Sequence, residues 1–105
     1  MLRLYTDILG LMRRLARYFD AIDKRDADLA RQGRRAAASI ALNVREGDAL
    51  SGGNRRLRHA SASGSAQEVG AVLDVGEALG WVRLDEETRD LLDKVQRTLA
   101  KLARR

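Results

Sequence analysis

The sequence contains no cysteine and no proline, and only 4% of its residues are aromatic. Without cysteine the chain can form neither disulfides nor thiolate metal sites, which is compatible with the cytosol. Few aromatic residues and no proline fit a helical protein better than a β-sheet protein. No apolar run is long enough to span a bilayer and no signal-peptide pattern is present, so we expect a cytoplasmic protein without membrane contact.

Positive charge is concentrated in the first half of the chain. Residues 1–59 hold 13 Lys and Arg against 7 Asp and Glu, whereas residues 60–105 hold 7 against 8. The overall formal charge of +5 therefore resides before residue 60. This asymmetry indicates a surface that faces a polyanion, and an Arg-rich surface that only serves solubility is the alternative. The length of 105 residues predicts a single domain over residues 1–105.

Hydrophobic residues recur at helical spacing in four segments. The pattern predicts helices near residues 2–24, 28–47, 54–79 and 85–104. Short links between four helices predict an all-α fold with an antiparallel up-down-up-down four-helix bundle.

Side chains at the predicted helix ends support these boundaries. Either Asp26 or Asp28 can cap the second helix, Asn54 the third and Asp85 the fourth. Gly47 and Gly80 favour the left-handed conformation in which helices often end.

The first half of the third helix, residues 54–66, is rich in Arg, Ser, Ala and Gly and resembles a linker in composition. We favour a helix because small residues suit close helix crossings and because a helical apolar pattern resumes farther on. That pattern consists of Val69, Val72, Leu73, Gly76 and Leu79.

The apolar face of the first helix covers about half of its circumference, whereas the interior of one bundle needs a narrower stripe. The excess predicts a homo-oligomer. The interface candidates are Leu9 on the first helix and Ala38 and Leu42 on the back of the second.

The second helix carries a stripe of polar residues, Ser39, Asn43 and Glu46, along one flank of its small-sided core face. These residues belong to the run RRAAASIALNVREG of residues 34–47. The run resembles the signature RRAxSIPxNIAEG of small four-helix-bundle proteins linked to intervening sequences of 23S ribosomal RNA. That signature is followed in the family by A-x-G-S-x-x-E and by a leucine-glycine-aromatic turn. Here these are residues 62–68 and 79–81.

The resemblance implies an all-helical bundle that assembles as a ring-like homopentamer and contacts RNA or other nucleic acid. A relative is the accessory protein of diversity-generating retroelements. The family's Pro is replaced by Ala41, so this helix is expected to be straighter. The structural signature comprises Ser39, Asn43, Glu46 and Gly47. We favour a structural role for Asn43 and Glu46, through bonds to backbone or to an Arg, over a catalytic one.

Two basic clusters are the nucleic-acid-binding candidates, because Arg side chains contact phosphates. They comprise Arg31, Arg34 and Arg35, followed by Arg55, Arg56 and Arg58. The alternative is that these side chains form salt bridges with acids such as Asp26, Asp28 and Asp48. No aromatic residue interleaves the clusters, so stacking on single-stranded bases is not indicated.

His59 is the only histidine, and a catalytic or metal site would need further convergent groups. We therefore expect no catalytic residue, cofactor or metal. The favoured function is a non-enzymatic, self-assembling protein that binds RNA or DNA non-specifically through basic surfaces. The alternative is an adaptor whose Arg residues bind an acidic protein partner, which the sequence does not identify.

Overall fold

The computed structural model describes residues 2–104, which form four α-helices and no strand. The helices are α1 (Leu2–Asp23), α2 (Ala27–Asp48), α3 (Gly52–Ala78) and α4 (Glu86–Ala103). Both α1 and α3 pack against α2 and against α4. The predicted all-α fold is confirmed, and the third helix is continuous through residues 54–66.

The core is built from the positions that the helical periodicity selects. On α1, the buried seam comprises Leu4, Ile8, Leu11, Leu15, Tyr18 and Ile22. On α2 the buried residues are mostly small, and a Cβ atom on Gly33 would lie 2.6 Å from Phe19 Cε1 and 3.0 Å from Val72 Cγ1. The small side of α2 therefore lets α1 and α3 approach it closely.

Successive contacts define how neighbouring helices align. Between α2 and α3, the Gly33 position lies against Val72, and Ser65 Oγ bonds Ser39 Oγ at 2.9 Å. Farther along the same pair, the Gly47 position lies against His59.

Three ion pairs join α1 to α4 or to its N-cap residue. They are Asp7 with Lys94, Arg14 with Glu87 and Arg17 with Asp85.

Two of the predicted N-caps are present. Asp26 Oδ1 accepts a hydrogen bond of 3.0 Å from the backbone N–H of Leu29 at the start of α2. Asp85 Oδ1 accepts one of 2.8 Å from the backbone N–H of Thr88 at the start of α4. These bonds satisfy N–H groups that have no partner inside the helix.

A Schellman motif ends α3. The N–H of Trp81 bonds the carbonyl of Gly76 at 2.9 Å, and the N–H of Gly80 bonds that of Glu77 at 3.0 Å. Gly80 adopts φ +76°, the left-handed conformation that this motif needs. The prediction of a left-handed end at Gly80 is confirmed.

Three other predictions are wrong. Gly47 is not left-handed, because α2 continues to Asp48, and it is buried against Arg58 and His59 of α3. Asn54 does not cap α3, which begins at Gly52 after an extended Ser51. Leu79, placed in the core pattern, is 57% exposed because α3 has ended and the chain is already turning toward Gly80.

Within residues 2–104, no helix combines the length and apolarity that crossing a membrane requires.

Candidate nucleic-acid interface

Three signature residues line one shallow groove on the surface shared by α2 and α3. Ser39, Asn43 and Glu46 contribute the polar side of the groove. The groove has a volume of about 320 Å³, and its other lining residues are Arg35, Ala38, Leu42 and Arg58. Two of the six candidate arginines and two of the three interface candidates thus meet at the signature.

Hydrogen bonds connect the groove residues across the two helices. Asn43 Nδ2 donates to the Ser39 carbonyl at 2.9 Å and to Ser39 Oγ at 3.1 Å. Ser65 Oγ donates to the same Ser39 hydroxyl at 2.9 Å. Arg58 donates to Asn43 Oδ1 at 3.4 Å and forms an ion pair of 2.9 Å with Glu46. The signature polar residues therefore bond backbone, a hydroxyl and an Arg, and they tie α3 to α2.

Most candidate arginines are engaged within the chain. Arg31 pairs with Asp28 one turn away on α2. Arg34 pairs with Asp20 at 2.7 Å and Asp23 at 3.4 Å on α1, and the bond to Asp20 is the main cause that raises the pKa of Arg34 above its usual value. Salt bridging therefore occurs, although mostly with acids other than those expected from the sequence.

Arg55 is a helix cap rather than a free cation. Its Nε donates to the carbonyl of Gly47 at 3.1 Å, and its Nη2 donates to that of Asp48 at 3.5 Å. These carbonyls belong to the last turn of α2, where a positive charge also opposes the negative end of the helix dipole. Arg35 and Arg56 are exposed, and the side chain of Arg35 has no hydrogen bond or ion pair among residues 2–104.

His59 lies beneath this cluster and is only 4% exposed. Its Nε2 has no hydrogen-bond partner among residues 2–104. Burial is the main cause that lowers the pKa of His59, and the nearby Arg55 lowers it further, while Asp48 acts in the opposite direction. The imidazole is therefore held neutral against Gly47 and serves packing.

A family model described as 23S rRNA-intervening sequence protein matches residues 2–104. The chain belongs to this family. The match spans the signature run on α2, the second motif on α3 and the turn before α4. No curated protein matches the chain significantly.

For this family member, sequence reasoning missed part of the exposed apolar surface. Leu42, an interface candidate, is 64% exposed, whereas Leu9 is half-buried and packs against the core. Leu57, Val75 and Leu79 on and after α3 are also exposed. Their spacing places them on one side of the helix, which was a usable signal, although the first of them lies among arginines and the last continues the buried pattern.

A second feature missed from the sequence is the cation–π contact between Arg45 and Tyr5. The Arg45 guanidinium lies 5.6 Å from the centre of the Tyr5 ring. This contact brings the start of α1 to the end of α2.

Within residues 2–104, no group of three or more acidic or histidine side chains could hold a metal ion.

Proposed function

We propose that this protein binds RNA or other nucleic acid without sequence preference, through one basic end of a self-assembling helical bundle. The main support is the set of contacts between α2 and α3 and between α1 and α4, from which we infer that the basic helix ends lie together. The family name, which refers to 23S rRNA, supports an RNA-related role and a cytoplasmic location.

We infer that the four helices run up-down-up-down. The paired contacts between α2 and α3, and between α1 and α4, support this course because residue numbers rise along one helix and fall along the other. The same course places the start of α1, the end of α2, the start of α3 and the end of α4 at one end of the bundle.

That end is basic and the opposite end is acidic. The basic end, taken as residues 2–7, 45–58 and 97–104, carries eight cations against three acids, Asp7, Glu46 and Asp48. Its cations are Arg3, Arg45, Arg55, Arg56, Arg58, Arg97, Lys101 and Arg104. The opposite end, taken as residues 20–28 and 83–87, carries seven acids against three cations, Lys24, Arg25 and Arg83. A polyanion is therefore attracted to one end of the molecule and repelled from the other.

The binding is expected to use the nucleic-acid backbone. All four aromatic residues, Tyr5, Tyr18, Phe19 and Trp81, are buried or half-buried in the structure, so they offer no exposed stacking platform. Contacts to phosphate carry no sequence information, and they release counterions, so affinity should fall steeply with salt.

Assembly would multiply this charge. The family resemblance implies five copies, and five chains of formal charge +5 would present about 25 positive charges. Repeated weak contacts on one polyanion would then act together. We propose no catalytic step, because the only histidine is buried and engaged in packing.

The test moves the same charge change between two helix ends. Lys101→Glu with Arg104→Glu alters the basic end, and Lys24→Glu with Arg25→Glu alters the end of α1 at the other side. All four side chains are exposed and lie at or near helix C-termini. The first variant should weaken binding of mixed-sequence RNA about tenfold or more at low salt. It should also flatten the slope of log K against log salt by up to about 1.4 on single strands.

The matched variant should bind nearly as well as the natural chain. Equal weakening by both variants would show that only net charge matters. Absence of binding at micromolar protein would reject the proposal and leave the Arg excess to solubility and subunit pairing. In that case, saturable binding to one acidic protein would favour an adaptor role.

A further inference from the structure

The second motif contains one charged residue, Glu68. In the run ASGSAQE of residues 62–68, Ala62 and Ala66 are buried, and Ser65 bonds Ser39. Glu68 is exposed and makes no hydrogen bond or ion pair within residues 2–104. An unpaired surface acid is ordinary, but Glu68 is the single charged residue between positions 60 and 73.

Glu68 lies on an exposed apolar surface. At about 100° per residue, Leu57, Glu68, Val75 and Leu79 fall within about 40° of one another around the α3 axis. The three apolar members are 67%, 42% and 57% exposed. We call this surface, with Ser61 and Gly64 between its members, the α3 stripe. The only other exposed large hydrophobic residue found in residues 2–104 is Leu42 on α2.

The back of α2 carries a positive charge, Arg35, which is opposite in sign to Glu68 of the α3 stripe. Arg35 is exposed and has no partner among the described residues, and no charged residue lies between positions 36 and 44. We call Arg35, Ala38 and Leu42 the α2 back. It therefore has one cation and one exposed leucine, where the α3 stripe has one acid and exposed apolar residues.

The α2 back and the α3 stripe can be compared by the positions of their residues along the bundle axis, which we call heights. The contacts of Gly33 with Val72 and of Ser39 with Ser65 pair residues whose numbers sum to about 104, so Arg35 lies level with residues near Glu68. A rotation about an axis parallel to the helices preserves every height. Residues that are level within one copy thus become level between copies, without a shift along the axis.

We infer that a second copy of this chain docks its α2 back on the α3 stripe, with Arg35 of one copy paired to Glu68 of the next. The inference rests on the self-assembly proposed above and names its contact surface. The α2 of one copy and the α3 of the next run in opposite directions in this contact. When Arg35 lies opposite Glu68, Leu42, seven residues after Arg35, therefore lies opposite Ser61, seven residues before Glu68. Its side chain then enters a space between Leu57 and Gly64.

This contact is heterologous, because each copy offers two different surfaces. A heterologous contact without translation closes into a ring instead of growing into a filament. A second copy fits better than an unrelated partner because this chain carries both halves of the complementary pair. Arg35 then belongs to the subunit contact, and the basic end remains for polyanions.

The decisive experiment uses the absence of cysteine from the chain. Leu42→Cys and Ser61→Cys are made as separate variants. The two proteins are mixed, allowed to exchange subunits, and then oxidised mildly. A disulfide needs Cβ atoms about 3.8 Å apart, and a chain with one cysteine cannot form it internally. The mixture should give a covalent dimer of unlike chains on a non-reducing gel, and each variant alone should give little. Leu42→Cys mixed with Asp90→Cys, an exposed site on α4, is the matched control.

Charge reversal provides the second measurement. Glu68→Arg and Arg35→Glu should each raise the dissociation constant of assembly about tenfold or more, and mixing the two should restore part of the association. Pairing of Arg35 with Glu68 inside one chain would give no recovery on mixing, and this result would overturn the inference.

The outcomes separate this inference from the proposed assembly. An oligomeric natural chain with no 42–61 cross-link and no effect of Glu68→Arg would overturn the contact and leave self-assembly standing. A monomeric natural chain at micromolar concentration, measured by native mass, would overturn both.

Discussion

Gly33 on α2 lies directly against the ring of Phe19 on α1. A Cβ atom on Gly33 would lie 2.6 Å from Phe19 Cε1, closer than real Cβ contacts allow. The contact sets how closely the first two helices pack. Gly47, on the same helix, differs: its Cβ would lie 3.4 Å from Arg58 Cβ and 3.6 Å from His59 Nε2, which is ordinary van der Waals contact.

The two glycines should respond oppositely to the same substitution. Gly33→Ala should lower the free energy of unfolding by about 1–3 kcal/mol, the usual cost of overpacking a core. Gly47→Ala should be neutral or raise it by up to about 1 kcal/mol, because alanine is the better helix former and the space exists. Urea denaturation of both variants measures the difference. Equal destabilisation would contradict the close packing at Phe19.

The start of α4 is fixed to α1 through Asp85. Besides capping α4, its carboxylate accepts a hydrogen bond of 2.7 Å from the Tyr18 hydroxyl. It also forms an ion pair with Arg17. The backbone N–H of Thr88 is the main cause that holds the pKa of Asp85 well below its usual value, followed by the Tyr18 hydroxyl. Because the folded pKa is depressed, the unfolded chain binds the proton more readily in acid.

The stability that Asp85 contributes should therefore be complete above about pH 5 and be lost as the pH falls below the ordinary Asp pKa of about 4. Asp85→Ala should lower Tm by about 4–8 °C at pH 7. Melting curves from pH 7 to pH 3 provide the measurement. The gap between the natural chain and the variant should narrow toward pH 3, and a constant gap would refute this role of the carboxylate.

The helices could be predicted from the sequence because each depends on local periodicity and caps. Asp85 with two following glutamates marked the start of α4, and the Gly80-Trp81 turn marked the end of α3. Gly47 was misread because a glycine that follows an apolar stripe looks the same whether it ends a helix or faces a neighbouring helix. Only the partner, here His59, distinguishes the two cases.

The candidate interface was less predictable because it depends on tertiary neighbours. The sequence selected Arg55 as a phosphate ligand, but the turn between α2 and α3 directs its side chain to the carbonyls of Gly47 and Asp48. Conversely, Arg3 and Lys101 lie about a hundred residues apart, and it is the proposed up-down-up-down course that would bring both to the basic end.

His59 provides a third test, since its buried Nε2 lacks a hydrogen-bond partner within the part of the chain that the structure describes. Replacing it by a similarly sized apolar side chain removes that unsatisfied group, so His59→Leu should raise the free energy of unfolding by about 1 kcal/mol at pH 7. The pKa of His59 is lowered in the fold, so protons bind the unfolded chain first. The natural chain should therefore lose stability as the pH falls below about 6.5, the ordinary His pKa.

The difference between His59→Leu and the natural chain should accordingly grow from pH 7 to pH 5. Denaturation at several pH values measures it. A difference that is independent of pH would show that the imidazole gains its proton equally well in the folded state.

Asn43 should contribute to stability through the bonds that hold α3 to α2. Asn43→Ala removes its two bonds to Ser39 and the acceptor of Arg58, so the free energy of unfolding should fall by about 1 kcal/mol, the low end for a half-buried amide. Ser65→Ala should cost less when Asn43 is already absent. A double-mutant cycle measures this coupling, and strict additivity would argue against a connected network.

The last prediction concerns Arg55, which satisfies carbonyls in the final turn of α2. Arg55→Met retains the apolar stem but loses the bonds to Gly47 and Asp48, so the free energy of unfolding should fall by about 1 kcal/mol. Lys101→Met removes the same charge from an exposed site on α4 and should leave stability nearly unchanged. Both should weaken RNA binding to a similar degree, because the proposed course puts both cations at the basic end. If Arg55→Met weakened binding but left stability intact, the cap would contribute nothing and Arg55 would act as a phosphate ligand alone.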